Sequence, residues 1–79
     1  MEKRLTFQYD REGDILYINK TPPSANQDSE ELGEGVVARF NRDTREIENL
    51  EVLFFSTRLL RSNVLELPVT ADLHMLVRP

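Results

Sequence analysis

Apolar and polar residues alternate in the first part of the chain, as they do in half-buried strands. The alternation runs over residues 5–10, a polar segment covers residues 10–14, and an apolar run follows at residues 15–18. Period two places one set of side chains on a buried face and the other toward water. The pattern predicts a hairpin whose second strand, apolar on both faces, is the more central one. Gly13 is the turn residue expected to take a positive φ.

A second hairpin is predicted further along. Alternation over residues 36–41 leads through a polar turn to the longest β-prone stretch, residues 47–55. Before it lies a loop over residues 19–27, in which two adjacent prolines exclude both helix and central strand. The acidic tract 28–34 has a single apolar residue and therefore predicts a loop or an edge strand.

The C-terminal part predicts a short helix and one more strand. Residues 56–62 suit one or two helical turns, with Ser56 as the N-cap. Residues 64–77 then carry an apolar side chain at every odd position and mostly polar ones between them, which favours an amphipathic strand. Pro68 cannot donate to a ladder, so it marks an edge or a bend of that strand.

Together these elements predict a single domain over residues 1–79 of the β-rich α+β class. Its architecture is an antiparallel β-meander of five to six strands with one short helix after Phe55. The predicted core consists of Leu5, Phe7, Leu16, Ile18, Val36, Ala38, Phe40, Leu50, Val52 and Phe54. A further apolar set, predicted to cover one face or to form a dimer contact, consists of Leu59, Leu65, Leu67, Leu73 and Met75.

Size and composition favour an assembly. A chain of 79 residues buries only about 60% of the surface that its unfolded form exposes. With no cysteine, neither a disulfide nor a thiolate metal site can add stability, so we expect a homodimer or another protein partner. The net charge of −4 argues against nucleic-acid binding. No apolar run has the length of a signal peptide or a membrane span, which predicts a cytoplasmic protein without a membrane partner.

The hairpin residues resemble a known bacterial family. Tyr-Asp at residues 9–10, Asp-Ile-Leu-Tyr-Ile at 14–18, Glu-Gly-Val-Val at 34–37 and Asn-Leu-Glu-Val-Leu at 49–53 are similar to the pattern of the domain of unknown function 2283. The resemblance covers about residues 5–60. The residues of this chain that carry it most directly are Tyr9, Asp10, Asp14, Leu16, Tyr17, Gly35 and Glu51.

Two positions depart from the family pattern, which commonly has glycine there. They are Arg45, in the second turn, and Asn49, just before the Leu-Glu-Val segment. A non-glycine residue takes a positive φ only at some cost, so Arg45 predicts a turn of different shape. The resemblance implies no enzymatic activity. Some relatives look like small partner proteins encoded beside toxin-like proteins, which implies an antitoxin-like role.

Three places in the sequence carry residues with candidate chemistry. Asp10, Glu12 and Asp14 have the spacing of a calcium loop, but Ile15 stands where such a loop requires glycine and Thr21 where it requires glutamate. Tyr9 and Tyr17 could exchange protons with these acids, although packing at a wet rim is the simpler interpretation. His74 is the single histidine and cannot form a metal site alone.

The sequence therefore predicts no catalytic residue, no cofactor and no metal site. We expect a non-enzymatic protein-interaction module, homodimeric, with an antitoxin-like partnership with a small toxin as its sharpest form. The predicted interface is the apolar side of the C-terminal strand: Leu65, Leu67, Val69, Leu73, Met75 and Val77. The acidic tract 28–34 would guide a basic partner. The alternative is a small-molecule or metal-binding protein that uses the acidic residues around Tyr9 and Tyr17, which predicts a concave pocket there.

Overall fold

The computed structural model describes residues 4–77 and contains one antiparallel sheet and one helix. The elements are β1 Thr6–Asp10, β2 Ile15–Asn19, β3 Gln27–Gly33, β4 Val36–Asn41, β5 Ile47–Leu53 and α1 Phe55–Arg61. This arrangement confirms the predicted β-rich α+β class, with five strands and a single short helix. The acidic tract forms the edge strand β3.

The strand order in the sheet is β1-β2-β5-β4-β3, so the last strand in sequence lies at the centre. It pairs with β2 from Ile15 opposite Leu53 to Asn19 opposite Asn49. It also pairs with β4, where Val36 lies opposite Val52. The central strand thereby joins the β1–β2 hairpin to the β3–β4 hairpin.

The core lies on one face of the three middle strands. Directly opposite residues in antiparallel strands share a face, and the register places Ile18 opposite Leu50 and Leu50 opposite Ala38. The buried apolar residues are the predicted Val36, Ala38, Leu50 and Val52, and Ile18 packs partly buried against them. Leu16 and Phe40 are half-buried.

Three predicted core residues are instead exposed. Phe7 is 62% exposed, Leu5 is 41% exposed and Phe54 is 64% exposed. The first two lie in or just before β1, an outer strand that has a neighbour on one side only. Phe54 connects β5 to α1 in a left-handed conformation with φ 55°, which takes its side chain out of the alternation of β5.

The predicted strand over residues 64–77 does not form. Leu65, Leu67 and Val69 alternate in burial with exposed neighbours, and the last two pack against the core cluster. Period-two alternation is thus satisfied by an extended segment that lies on the sheet face, without a ladder of hydrogen bonds. A backbone hydrogen bond from Val69 N to Leu67 O, 2.8 Å long, closes a tight turn around Pro68.

The remaining apolar residues of this segment are not part of the core. Leu73 and Met75 are 76% and 95% exposed, and Val77 is also exposed. Leu59 on α1 is half-exposed, and no residue of that helix is buried. Of the predicted apolar cover, only the portion centred on Leu67 therefore covers the sheet.

Candidate functional site

The β1–β2 turn is organised by Asp10. Its Oδ1 accepts hydrogen bonds from the backbone amides of Glu12 at 3.1 Å and Gly13 at 3.3 Å. The left-handed residue of the turn is Asp14, with φ 56°, and not the expected Gly13. Aspartate is one of the few residues other than glycine that adopt this conformation readily. The turn therefore places the Asp14 carboxylate within reach of both Tyr9 on β1 and Ser56 of α1.

The Asp14 carboxylate joins the first hairpin to the helix. Its Oδ1 accepts a hydrogen bond from Tyr9 Oη at 2.6 Å and another from Ser56 N at 2.9 Å, and its Oδ2 accepts one from Ser56 Oγ at 2.8 Å. Asp14 O also accepts the Phe55 amide at 3.0 Å. Ser56, expected as the N-cap, is instead a donor inside the first turn. The N-cap residue is Phe54, which has no side-chain acceptor, so Asp14 supplies it.

These hydrogen bonds hold both groups in their neutral-pH forms. The hydrogen bond from Tyr9, followed by that from the Ser56 amide, lowers the pKa of Asp14. The same bond to Asp14 raises the pKa of Tyr9. An efficient general acid or base has a pKa near the working pH. Asp14 and Tyr9 are both shifted away from it, which suits a structural link rather than proton transfer.

A second link runs from α1 to the opposite hairpin through Arg58. Its Nε donates to Leu53 O at 2.8 Å, and its Nη2 donates to Glu34 O. Gly35 follows with φ +80°, and a Cβ there would lie 3.0 Å from Arg58 Nη2. Gly35 therefore suits this position through its positive φ, and a side chain there would press on the guanidinium.

The opposite face of the sheet holds a polar network that the sequence analysis missed. Asn49 is 3% exposed, and its Nδ2 donates to Asn19 Oδ1 at 2.8 Å and to Thr21 O at 2.7 Å. Its Oδ1 accepts from Gln27 Nε2 at 2.8 Å, an amide that also donates to Glu48. The sequence marked Asn49 only as a departure from glycine. The available signal was an uncharged polar residue inside the longest β-prone stretch.

The region around the β1–β2 hairpin also contains an open depression of about 620 Å³. It is lined by Gln8, Tyr9, Asp10, Arg11, Glu12, Tyr17, Asn19 and Pro23. Asp14 is engaged with Tyr9 and Ser56. Within residues 4–77, no group of three or more histidine, aspartate or glutamate side chains is placed to hold a metal ion. His74 lies 3.2 Å from Asp72 in an exposed pair.

The strands of the sheet fall within a match to a known protein family. A family model described as "Protein of unknown function (DUF2283)" matches residues 6–56. The chain belongs to the DUF2283 family. No curated protein and no solved structure matches it. Among the described residues, no helix is long and apolar enough to cross a membrane.

Most of the DUF2283 motif residues of this chain have a structural role. Asp10 shapes a turn, Tyr9 and Asp14 join the hairpin to α1, and Gly35 admits Arg58. The other three lie within the sheet: Leu16 opposite Val52, Tyr17 opposite Glu51, and Glu51 in an ion pair with Arg39 at 2.6 Å. Three of the motif residues, Tyr9, Asp14 and Gly35, thus lie where the sheet meets the helix.

The other departure from the DUF2283 glycine pattern keeps the backbone that glycine favours. Arg45 has φ 65°, so it adopts the left-handed conformation and does not avoid it. Its amide donates to Asn41 O at 2.9 Å, and its guanidinium carbon lies 4.7 Å from the centre of the Phe40 ring. The side chain gains a cation–π contact that offsets part of the conformational cost.

Proposed function

We propose that this DUF2283 chain is a non-enzymatic protein-interaction module that acts as a homodimer in the bacterial cytoplasm. The observation that carries the proposal is its exposed surface. The accessible area is 6610 Å², whereas a folded monomer of 9.2 kDa is expected to expose about 4,900 Å². The radius of gyration is 13.6 Å, against about 12 Å for a compact chain of this length.

The excess is large enough for a second copy to bury. It amounts to roughly 1,700 Å², and a standard interface covers about 800 Å² on each partner. Large apolar side chains contribute to the exposed surface, including Phe7, Leu60, Leu73 and Met75. Burying such side chains against a second copy would stabilise an assembly.

The chemistry around Asp14 supports a role without catalysis. The side chains that most resemble reactive groups, Tyr9 and Asp14, are engaged with each other and with Ser56. The Asp10 carboxylate accepts two amides of its own turn. These contacts leave the hairpin acids with positioning tasks.

The sharpest form of the proposal is an antitoxin-like partnership with a small basic protein, such as an RNA-cleaving toxin encoded beside this chain. It is supported by the net charge of −4 and by the acidic edge strand β3, with Asp28, Glu30 and Glu31. Complementary charge accelerates association between such partners and favours the right one.

Light scattering of the full chain over a wide concentration range tests the dimer. We expect twice the chain mass at micromolar concentration, and a monomer throughout would refute the homodimer. Co-expression with the product of a toxin-like neighbouring gene tests the antitoxin-like form. Stable co-purification supports it, and a double substitution of Asp28 and Glu30 by asparagine and glutamine should weaken the complex. A dimer that forms no such complex would remove the antitoxin-like form alone.

A second candidate function is small-molecule binding in the depression beside Tyr9 and Tyr17. It is favoured by the convergence of Arg11, Tyr17 and Asn19 on one open concavity. A thermal-shift screen of small anionic and aromatic compounds tests it. A hit lost in Tyr17→Ala and retained in Asn26→Ala, outside the depression, would support this candidate.

A further inference from the structure

The two edges of the sheet differ in charge. β1 and β3 are the outer strands, and the described part of the chain places no further strand beyond either. Along β3, three of seven residues are acidic. Along β1, residues 6–9 carry no charge, and Asp10 is the one charged residue. The edges therefore offer different surfaces to a second copy.

The acidic edge resists pairing with itself. Two β3 strands side by side would bring several carboxylates close together, and charged side chains are a common protection of sheet edges against such pairing. The edge of β1 has a single charged residue, Asp10, at its end. Its residues are all exposed, and they include Phe7 and Tyr9 on the same face as the core.

We propose that two copies of this chain join edge to edge through β1, antiparallel, about a twofold axis at Gln8. The pairing would extend each five-stranded sheet into one sheet of ten strands. It rests on the proposed homodimer and locates its interface. An exposed edge strand of this kind recognises another strand through main-chain hydrogen bonds, and the side chains select the register.

The register follows from the composition of β1. Gln8 is the midpoint of Thr6–Asp10, so an axis there pairs all five residues. Phe7 of each copy then lies opposite Tyr9 of the other, which forms two aromatic pairs on the core face. Asp10 lies opposite Thr6, so no two like charges face each other.

The chain suits a cross-linking test because it contains no cysteine. Directly opposite residues in antiparallel strands have Cα atoms about 4.5–5.5 Å apart, within the range that a disulfide spans. Three single-cysteine variants of the full chain are compared under mild oxidation. Gln8→Cys probes the proposed axis, Ser29→Cys is the matched exposed control on the β3 edge, and Met75→Cys probes the exposed C-terminal segment.

We expect Gln8→Cys to form a covalent dimer rapidly and nearly completely, and Ser29→Cys to react at least about tenfold more slowly. Equal slow rates at both positions in a protein that is dimeric by light scattering would overturn the β1 interface and leave the homodimer standing. Rapid cross-linking of Met75→Cys alone would also overturn the β1 interface. It would leave the homodimer standing and place its contact in the C-terminal segment. A wild-type monomer at all concentrations would remove both proposals.

A charge exchange at Gln8 gives an independent measurement. Gln8→Lys and Gln8→Glu each place like charges opposite each other at the axis, so each should raise the dimer dissociation constant, by about fivefold. An equimolar mixture should restore dimerisation as a heterodimer. Unchanged dimers in both variants would overturn the register at Gln8.

Discussion

At Asp14, a single carboxylate replaces the local cap that α1 lacks. It accepts a tyrosine hydroxyl from β1 and both the amide and the hydroxyl of Ser56. These donors come from two segments far apart in sequence. The left-handed backbone of Asp14 is therefore part of how the hairpin and the helix are held together.

The hydrogen bond between Tyr9 and Asp14 should contribute to the free energy of unfolding near neutral pH, and this contribution should be lost at both low and high pH. The folded pKa of Asp14 is lowered from 3.8, so its contribution is present above that value and is lost as the pH falls through the folded pKa. The folded pKa of Tyr9 is raised from 10.0, so its contribution is present below pH 10 and is lost as the pH rises through the folded value.

Urea unfolding of wild type and Tyr9→Phe at a series of pH values measures this effect. We expect wild type to be the more stable protein near neutral pH, with a gap that narrows below about pH 4 and above about pH 10. A gap of constant size from pH 2.5 to pH 11 would contradict the assigned hydrogen bond. Tyr17→Phe serves as the control.

Replacing Asn49 should cause a larger loss of stability, because its side chain is buried. Asn49→Ala removes an amide that bonds Asn19, Thr21 and Gln27, and it leaves their polar atoms without these partners. We expect a loss of about 2 kcal/mol in the free energy of unfolding. The exposed amide of Asn26, bonded to Asp43, provides the control. If Asn26→Ala costs as much as Asn49→Ala in urea titrations, the network does not contribute as described.

Two substitutions at Arg45 distinguish the cost of its left-handed backbone from the gain of its side-chain contact with Phe40. Arg45→Ala keeps the left-handed φ and loses the contact with Phe40, which predicts a loss of about 0.5–1 kcal/mol. Arg45→Gly also loses that contact but relieves a backbone cost of about 1 kcal/mol. We therefore expect the Arg45→Gly variant to be more stable than the Arg45→Ala variant in denaturant titrations. An alanine variant equal to or better than glycine would show that the φ of 65° carries no cost.

At the scale of elements, α1 is held by hydrogen bonds of Asp14 and Arg58 and not by a buried face. No residue of the helix is buried. Asp14 holds its first turn, and Arg58 reaches carbonyls of Leu53 and Glu34. A helix of seven residues is too short to be stable alone. These polar links therefore decide whether it forms.

Arg58→Lys tests this dependence, because an ammonium cannot reproduce the forked geometry of a guanidinium. We expect a loss of about 1 kcal/mol in stability and faster hydrogen exchange at the Ser62 amide, which donates to Arg58 O. Arg61→Lys, an exposed change on the same helix, is the control. Equal exchange at Ser62 in both variants would exclude Arg58 as the anchor.

The strands were predictable where side chains alternate and a neighbouring strand lies on each side. Val36 and Val52 follow that pattern, and both are buried. Phe7 has the same pattern and is exposed, because alternation does not reveal which strand is at an edge. Residues 64–77 alternate as well but form no strand. Their alternation reflects packing of Leu67 and Val69 on the sheet face, without a ladder of backbone hydrogen bonds. The role of Asp14 depends on Ser56, a contact that no local pattern contains.

At the scale of the whole molecule, the C-terminal segment has two parts. Leu67 and Val69 pack on the core cluster, whereas Leu73 and Met75 are exposed. A chain ending after Ser62 should therefore lose about 2 kcal/mol or more of stability, because two half-buried apolar side chains leave the sheet. A chain ending after Thr70 should keep nearly all of it.

Thermal unfolding and light scattering of both truncated chains measure these differences. With the interface on β1, the chain ending after Thr70 should remain a dimer. Its conversion to a stable monomer would assign dimerisation to residues 71–79, and equal stability of the two truncated chains would contradict the packing of Leu67 and Val69.

The central position of β5 has a consequence for synthesis on the ribosome. The β1–β2 hairpin emerges first and the β3–β4 hairpin next, but each needs β5 as its neighbour in the sheet. A lone two-stranded hairpin is at best marginally stable in water. The nascent chain therefore carries two unfinished halves until residues 47–53 leave the exit tunnel. Among the strands of residues 4–77, the last to be translated is the one that closes the fold.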